Sequence, residues 1–303
     1  MGFRIAPEDS SLKTGLRRVL AERGARAARH AAGHAAEADM EEAIHALRKD
    51  TKKARALLRL MRPGLSAFKT ENRALRDAAR ALSGHRDAQA RLDSFDKLTT
   101  HYANEIDRRA YAGLRAALTR EARAAQNGGE NELAALRAAL EQMGERAGQW
   151  RIEGKGRVLL HEGLERSLTR AARALAAAEK APDAARLHEL RKRAKDHRAH
   201  MKLLRPAWPA LIGAREKQAK RLGDLIGDHH DLDALCAHLA ARELPRDETA
   251  RAALTALAAR RQADLAAEAL PVARRLFGGP PGETAAHLVA LWRLWRRETA
   301  GAR

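Results

Sequence analysis

Ile44 to Pro63 reads IHALRKDTKKARALLRLMRP, and Leu187 to Pro206 reads LHELRKRAKDHRAHMKLLRP. From Arg48 to Arg62 the first stretch carries seven Lys or Arg side chains and one Asp, and Arg191 to Arg205 in the second does the same. Aligning the two at an offset of 143 places His45 on His188 and makes ten of the nineteen positions to Pro63 identical, among them Arg48/Arg191, Lys49/Lys192, Lys52/Lys195, Arg55/Arg198, Leu60/Leu203 and Pro63/Pro206. A fixed internal offset of this kind marks a duplicated unit.

Beyond the two prolines the match continues with a one-residue slip. Arg73 and Arg76 then fall on Lys217 and Lys220, and LSGHRDAQARLD from Leu82 falls on IGDHHDLDALCA from Ile226. Upstream, GLRRVL at Gly15 echoes GLERSL at Gly163. The expected organisation is one domain over residues 1–303 built from two helical repeats, 10–130 and 150–300, joined by a turn and a short helix between about residues 127 and 155.

Each repeat reads as helix. Apolar residues recur with helical period between breaks at Pro63-Gly64, Ser83-Gly84, Asn127-Gly128-Gly129, Pro182-Asp183, Pro206, Pro209, Pro245, Pro271 and Gly278 to Gly282. Aromatics make up only 3% of the chain while Ala, Leu, Arg and Glu dominate, and these residues lose least on entering a helix. No strand pattern is present, so the fold class expected is all-α, with antiparallel bundle packing.

On a helix, successive side chains turn by about 100°, so Arg48, Lys49, Lys52, Arg55, Arg59 and Arg62 fall with His45 within an arc of roughly 140°. Leu47, Ala54, Leu57, Leu58 and Met61 take the adjoining face, which is the face expected to be buried. The second copy repeats the stripe with His188, Arg191, Lys192, Lys195, Arg198, Lys202 and Arg205. Solvated faces usually mix signs so that Glu and Lys pair along the helix. Here each run is net +6, and together they carry 12 of the formal +19.

Such an excess opposes compaction unless a counter-charge is present, and a stripe roughly 25 Å long suits a row of phosphates. Guanidinium groups fork onto phosphate oxygens and ammonium groups act as point charges. Lys69, Arg73, Arg76, Lys217, Lys220 and Arg221 on the following helices are expected to form the opposite wall of a groove. Nucleic acid is the rival polyanion. Single-strand binders interleave stacking aromatics and duplex readers present base-reading polar side chains, and neither pattern is seen; nucleic acid is expected only as a non-specific competitor.

Other chemistries find little support. The single cysteine, Cys236, lies in an apolar-periodic run and reads as a small core residue, which leaves no Cys-based metal site. The pair His197/His200 and the run His229-His230-Asp231 invite a metal reading, but His197 and His200 replace Ala54 and Leu57 of the first copy, so no shared site results and no metal is expected. His85-Arg86-Asp87 mimics a kinase loop but lacks the following Asn and any Gly-rich phosphate loop. Asp87 and Asp231 are expected to cap a helix or pair with a cation, and Trp292 and Trp295 to pack. His45 and His188, among cations, are expected to titrate low when empty and to protonate more easily beside a polyanion. No apolar stretch approaches a membrane span, and MGFRIAPEDSSLK lacks a signal-peptide core, so a cytoplasmic protein with no membrane partner is expected.

The two basic stretches, each followed by a Gly-containing turn with H-x-D in LSGHRDAQ and IGDHHDLD, resemble the CHAD family, the conserved histidine α-helical domain, over roughly residues 10 to 300. That resemblance implies a pair of four-helix bundles with internal pseudo-two-fold symmetry and a basic central groove that binds inorganic polyphosphate. It points residue by residue to His45, Arg48, Lys49, Lys52, Lys53, Arg55 and Arg59, and to His188, Arg191, Lys192, Lys195, Arg198 and Lys202; Lys53 is matched by Asp196 and carries less weight. Many relatives look like fusions to a triphosphate-tunnel enzyme domain. Its Glu-x-Glu-x-Lys strands are missing here, which implies a stand-alone, non-catalytic module without cofactor, associated with polyphosphate granules. A polyphosphate-processing enzyme is the remaining alternative.

Overall fold

The structure is a computed structural model that describes residues 2–29, 37–82, 84–126, 130–241 and 248–301. Its regular elements are α1 (Leu12–Arg29), α2 (Glu37–Met61), α3 (Phe68–Ala81), α4 (Gly84–His101), α5 (Ala112–Gln126), α6 (Glu130–Ala147), α7 (Gly156–Lys180), α8 (Ala184–Leu204), α9 (Pro209–Ala240), α10 (Glu248–Phe277) and α11 (Pro281–Gly301), with short 3-10 turns at Arg108–Tyr111 and Arg205–Ala207. The class is all-α. Among the described residues the sole β pairing is an isolated antiparallel bridge between Leu65 and Ile152, which lays the α2–α3 connection against the join before α7.

Local chemistry explains several boundaries. Asp183 caps α8 by accepting from the Arg186 amide at 2.8 Å, satisfying one of the donors a helix start leaves open. Pro209 begins α9, where its missing N–H costs nothing. The join is longer in helix than expected, since α6 occupies Glu130–Ala147 and only residues 148–155 run irregularly before α7. The break expected at Asn127-Gly128-Gly129 lies outside the described residues, as do those at Ser83 and Pro245.

Two expected breaks are absent. Pro271 sits inside α10, whose flanking Ala269, Val272, Ala273, Leu276 and Phe277 are all buried, so packing on both sides of the proline holds the helix through it. The IGDHHDLD stretch is not a turn either: α9 runs unbroken through Gly227, Asp228 and Asp231. Asp231 therefore caps nothing. Its charge instead acts on Lys97 of α4.

Buried apolar side chains form two clusters. The larger takes Leu16, Val19 and Leu20 of α1, Leu57, Leu58 and Met61 of α2, Leu140 and Met143 of α6, Leu164 of α7, Leu190 and Leu203 of α8, and residues of α10 and α11. The second joins Leu92, Phe95, Leu98 and Tyr102 of α4, Leu114 and Leu118 of α5, Leu232, Leu235 and Leu239 of α9, and Leu254, Ala258 and Leu265 of α10. Both clusters draw on the first and the second halves of the chain. Cys236 is half-buried against the second one, and Trp295 is buried in the first with Trp292 packed on it.

α7 approaches α2 closely enough to require glycine. A Cβ on Gly163 would collide with the Leu60 carbonyl oxygen, a backbone atom that cannot swing away. The N-terminal segment closes over the far end of the same layer: Phe3 and Ile5 are buried, and the Ile5 amide donates to the Leu203 carbonyl at 3.0 Å.

A candidate anion-binding surface on the basic helices

The apolar face expected on α2 is buried: Leu47, Ala54, Leu57, Leu58 and Met61 are each at most 2% exposed. α8 buries Leu187, Leu190, Ala194, Met201, Leu203 and Leu204 to the same degree and packs directly on α2. His200 crosses that contact and donates from Nε2 to the Ala56 carbonyl at 3.0 Å. The two basic sequences thus lie side by side.

Their cations have different fates. His45, Lys49 and Lys52 are exposed, as are Lys192, Arg73, Arg76, Lys217, Lys220 and Arg221, while Arg48, Lys53, Arg55, Arg59, His188, Arg191, Lys195, Arg198 and Lys202 are half-buried. Lys49, Arg73, Arg198, Lys202, Lys217 and Arg221 have no carboxylate within salt-bridge distance among the described residues. Arg76 pairs with Asp77, Lys192 with Glu189 and Lys220 with Asp224, all solvated pairs that hold their cations weakly.

Arg55 shows how α2 and α3 converge. Its Nε donates to Asn72 Oδ1 at 3.1 Å, and burial followed by the charge of Arg59 and, more weakly, Arg76 brings its guanidinium down to about 10. A guanidinium depressed that far is one that gains from an added anion.

Arg59 is bound up with α8. It donates to Asp196 Oδ1 at 2.7 Å, and Arg193 lies 3.2 Å from the other carboxylate oxygen. Asp196 and Arg193 are 6% and 5% exposed, so this is a buried bridge between the basic helices, with Arg170 of α7 in electrostatic reach. A comparable knot surrounds Asp50, 1% exposed, whose carboxylate receives Arg23 and Arg26 of α1, each at 3.3 Å, and Lys53 at 3.4 Å.

Sequence reading treated the runs as nearly pure cation and missed these acid-centred knots. A signal was present in the self-comparison. At the offset of 143, Asp50 falls on Arg193 and Lys53 on Asp196, so the two helices carry the same pair with its charges exchanged. Solvated faces give no reason for such an exchange, whereas buried positions that must stay paired do. Arg215 was missed as well: it donates from Nε to His197 Nε2 at 2.9 Å and from Nη2 to the Leu276 carbonyl.

Arg48 and Arg191, matched in sequence, each donate to a backbone carbonyl of the following helix segment, though not at matched positions. Arg48 donates to the Leu82 carbonyl at 2.8 Å and Arg191 Nε to the Gly223 carbonyl at 3.2 Å. Each therefore clips a basic helix to the one that follows it. A Cβ at Gly227 would lie 2.6 Å from Arg191 Nη2, so a glycine in mid-helix leaves room for the guanidinium that lies across α9.

His188 stands next to this clip, its ring centroid 4.5 Å from that of His230 and its buried Nδ1 without a hydrogen-bond partner. Burial, then His230, Lys192, Arg191 and Lys195, brings it down to about 4. Desolvation dominates the depression, and the neighbouring cations add to it. His197 and His200 are fully buried and neutral, wedged against Arg215, Phe277 and the Ala56 carbonyl. Among the described residues no group of His, Cys, Asp and Glu could hold a metal ion, and no helix is long and apolar enough to cross a membrane.

A search of curated proteins finds no match to this chain. The profile of the CHAD domain, however, matches residues 18–240, a span that begins in α1, takes in both basic helices and ends at the last residue of α9, and the chain belongs to the CHAD domain family.

Proposed function

We propose that this CHAD domain binds inorganic polyphosphate on the basic faces of α2 and α3 from one repeat and α8 and α9 from the other, as a non-catalytic module. In this reading residues 10–130 and 150–300 are two repeats related by a pseudo-two-fold axis, and their basic faces bound a common groove. The observation that carries it is the side-by-side packing of α2 and α8, which concentrates cations without carboxylate partners, such as Lys49, Arg198 and Lys202, where His188 is already driven toward neutrality. A phosphate polymer relieves that repulsion along its length; a single small anion relieves it at one point. The same reading places the protein in the cytoplasm, at polyphosphate granules.

Calorimetric titration of long-chain polyphosphate, at near-physiological salt, into wild type and into a variant with Arg48, Lys49, Arg191 and Lys192 changed to Ala tests it. Wild type is expected to bind tightly, and the folded variant more weakly by roughly tenfold or more, with a steep salt dependence in the wild type as counterions compete. Wild-type binding no tighter than to an equal charge concentration of DNA would leave the surface a general polyanion binder, and phosphate release with Mg²⁺ or Mn²⁺ would make the protein an enzyme.

A further inference from the structure

At the offset that relates the basic helices, Leu65 corresponds to Trp208, each two residues past a matched proline. The corner at Leu65 is covered. Trp150 and Ile152 are buried in one cluster with Leu65, which is 4% exposed and forms the antiparallel bridge with Ile152. The Glu153 amide donates to the Gly64 carbonyl at 2.9 Å, and a Cβ on Gly64 would lie 2.6 Å from the Glu153 carbonyl oxygen, so this extended segment is pressed onto the corner.

The corner at Trp208, between α8 and α9, has the same extended backbone, with φ −159° and ψ 90°, and no cover. Trp208 is 47% and Leu211 42% exposed, with the exposed Pro209 and Ala210 between them. Among the described residues four large apolar side chains are exposed, and these are two of them. The chain does hold a second version of the covering segment, since Phe3-Arg4-Ile5 before α1 echoes Trp150-Arg151-Ile152 before α7. That version is tied down elsewhere: Ile5 donates to the carbonyl of Leu203, five positions before Trp208, and Phe3 lies over the Lys53 ammonium.

We propose that the Trp208–Leu211 corner docks an extended acidic segment of a partner protein, with bulky apolar side chains at alternate positions as in Trp150 and Ile152. Alternate side chains of an extended chain point the same way, so one such pair meets Trp208 and Leu211 while the residue between them faces water. Pro209 stands where Ser66 stands and offers no N–H, so side chains rather than a strand ladder hold the segment. Its acidity answers the surroundings. Arg205 just before the corner is 58% exposed and 3.8 Å from Glu216, and Lys202 and Lys217 on either side in sequence have no carboxylate within salt-bridge distance among the described residues. A patch on the order of 300 Å² suits a short segment and falls short of the about 800 Å² that each partner of a stable dimer contributes. The docking does not depend on polyphosphate binding.

The test is fluorescence anisotropy of a labelled synthetic copy of residues 148–155 carrying Arg151→Glu and Lys155→Glu, titrated with the full chain at near-physiological salt. Trp208→Ser with Leu211→Ser in the protein should weaken binding by about tenfold or more, and so should Trp150→Ser with Ile152→Ser in the peptide. Both protein positions are exposed, so the variant should keep the wild-type circular dichroism spectrum. Changing Arg48, Lys49, Arg191 and Lys192 to Ala should cost less than about threefold, as for a contact made outside the basic faces. Absence of binding, or binding that survives loss of either apolar pair, would overturn the proposal. So would a dimer of the free chain, or adsorption to vesicles of anionic lipid, that the Trp208 and Leu211 changes abolish, because the patch then belongs to a second copy or to a membrane.

Discussion

Asp196→Asn is the most informative single change in this molecule. The Asp196 carboxylate is 6% exposed and holds Arg59 at 2.7 Å and Arg193 at 3.2 Å, the first from α2 and the second from its own helix. Removing one member of a buried pair costs about 3–5 kcal/mol, because the charge left behind is desolvated without compensation. Asn retains an acceptor oxygen and Arg193 keeps Glu189 at 3.2 Å, so the lower end, about 3 kcal/mol, is expected. For a chain of 303 residues that is a fall of about 5 °C in Tm. Denaturant unfolding of Asp196→Asn, Arg59→Met and the double variant supplies the cycle, in which the double should lose well under the sum of the singles. If Asp196→Asn unfolds within about 0.5 kcal/mol of wild type, or if the two changes add, the buried bridge is not what holds α2 to α8. The same substitution releases Arg59 and adds one positive charge, so polyphosphate should bind more tightly to a less stable protein.

Gly163→Ala should lose about 1–3 kcal/mol in thermal or denaturant unfolding, since the added methyl meets the Leu60 carbonyl; wild-type stability would mean that α7 can shift away from α2 at little cost. His188 sits lowered to about 4 from 6.5, so between those values the unfolded chain binds more protons than the folded one and stability falls on acidification through that window. His188→Gln should flatten the stability difference between pH 7 and pH 5, and an unaltered difference would sink the assignment. Bound polyphosphate should move the His188 ring resonances toward the protonated form at pH 6, and no movement would separate the histidine from the ligand.

Much of the helical layer was legible because burial imposes a period. Leu47, Ala54, Leu57, Leu58 and Met61 recur on one face for the reason that they are buried there. Breaks were legible where proline coincides with the end of packing, as at Pro209, and misleading where packing continues past it, as at Pro271. IGDHHDLD reads as a turn by its glycine and aspartates, yet Gly227 serves the Arg191 guanidinium lying across α9. The cations of the candidate surface were visible as composition. What was hidden was which of them are spoken for, because Asp50 collects arginines from α1 and Asp196 one from α2, and contacts between helices leave no periodic trace along either strand of sequence.

The second apolar cluster has a consequence for how the chain can fold. Leu98 and Leu118 come from α4 and α5, Leu235 and Leu254 from α9 and α10, and each hairpin covers the other. Neither half of the polypeptide can bury that surface by itself, so a fragment ending after α5 or α6 would be left with an exposed apolar flank and a strong tendency to associate. For a sequence that repeats itself, the unduplicated unit would have needed a second copy of itself to close the same cluster. Fusion into one chain would have replaced a concentration-dependent assembly by an intramolecular one. It would also have freed matched positions to diverge, as they have at Asp50 and Arg193 and at Lys53 and Asp196.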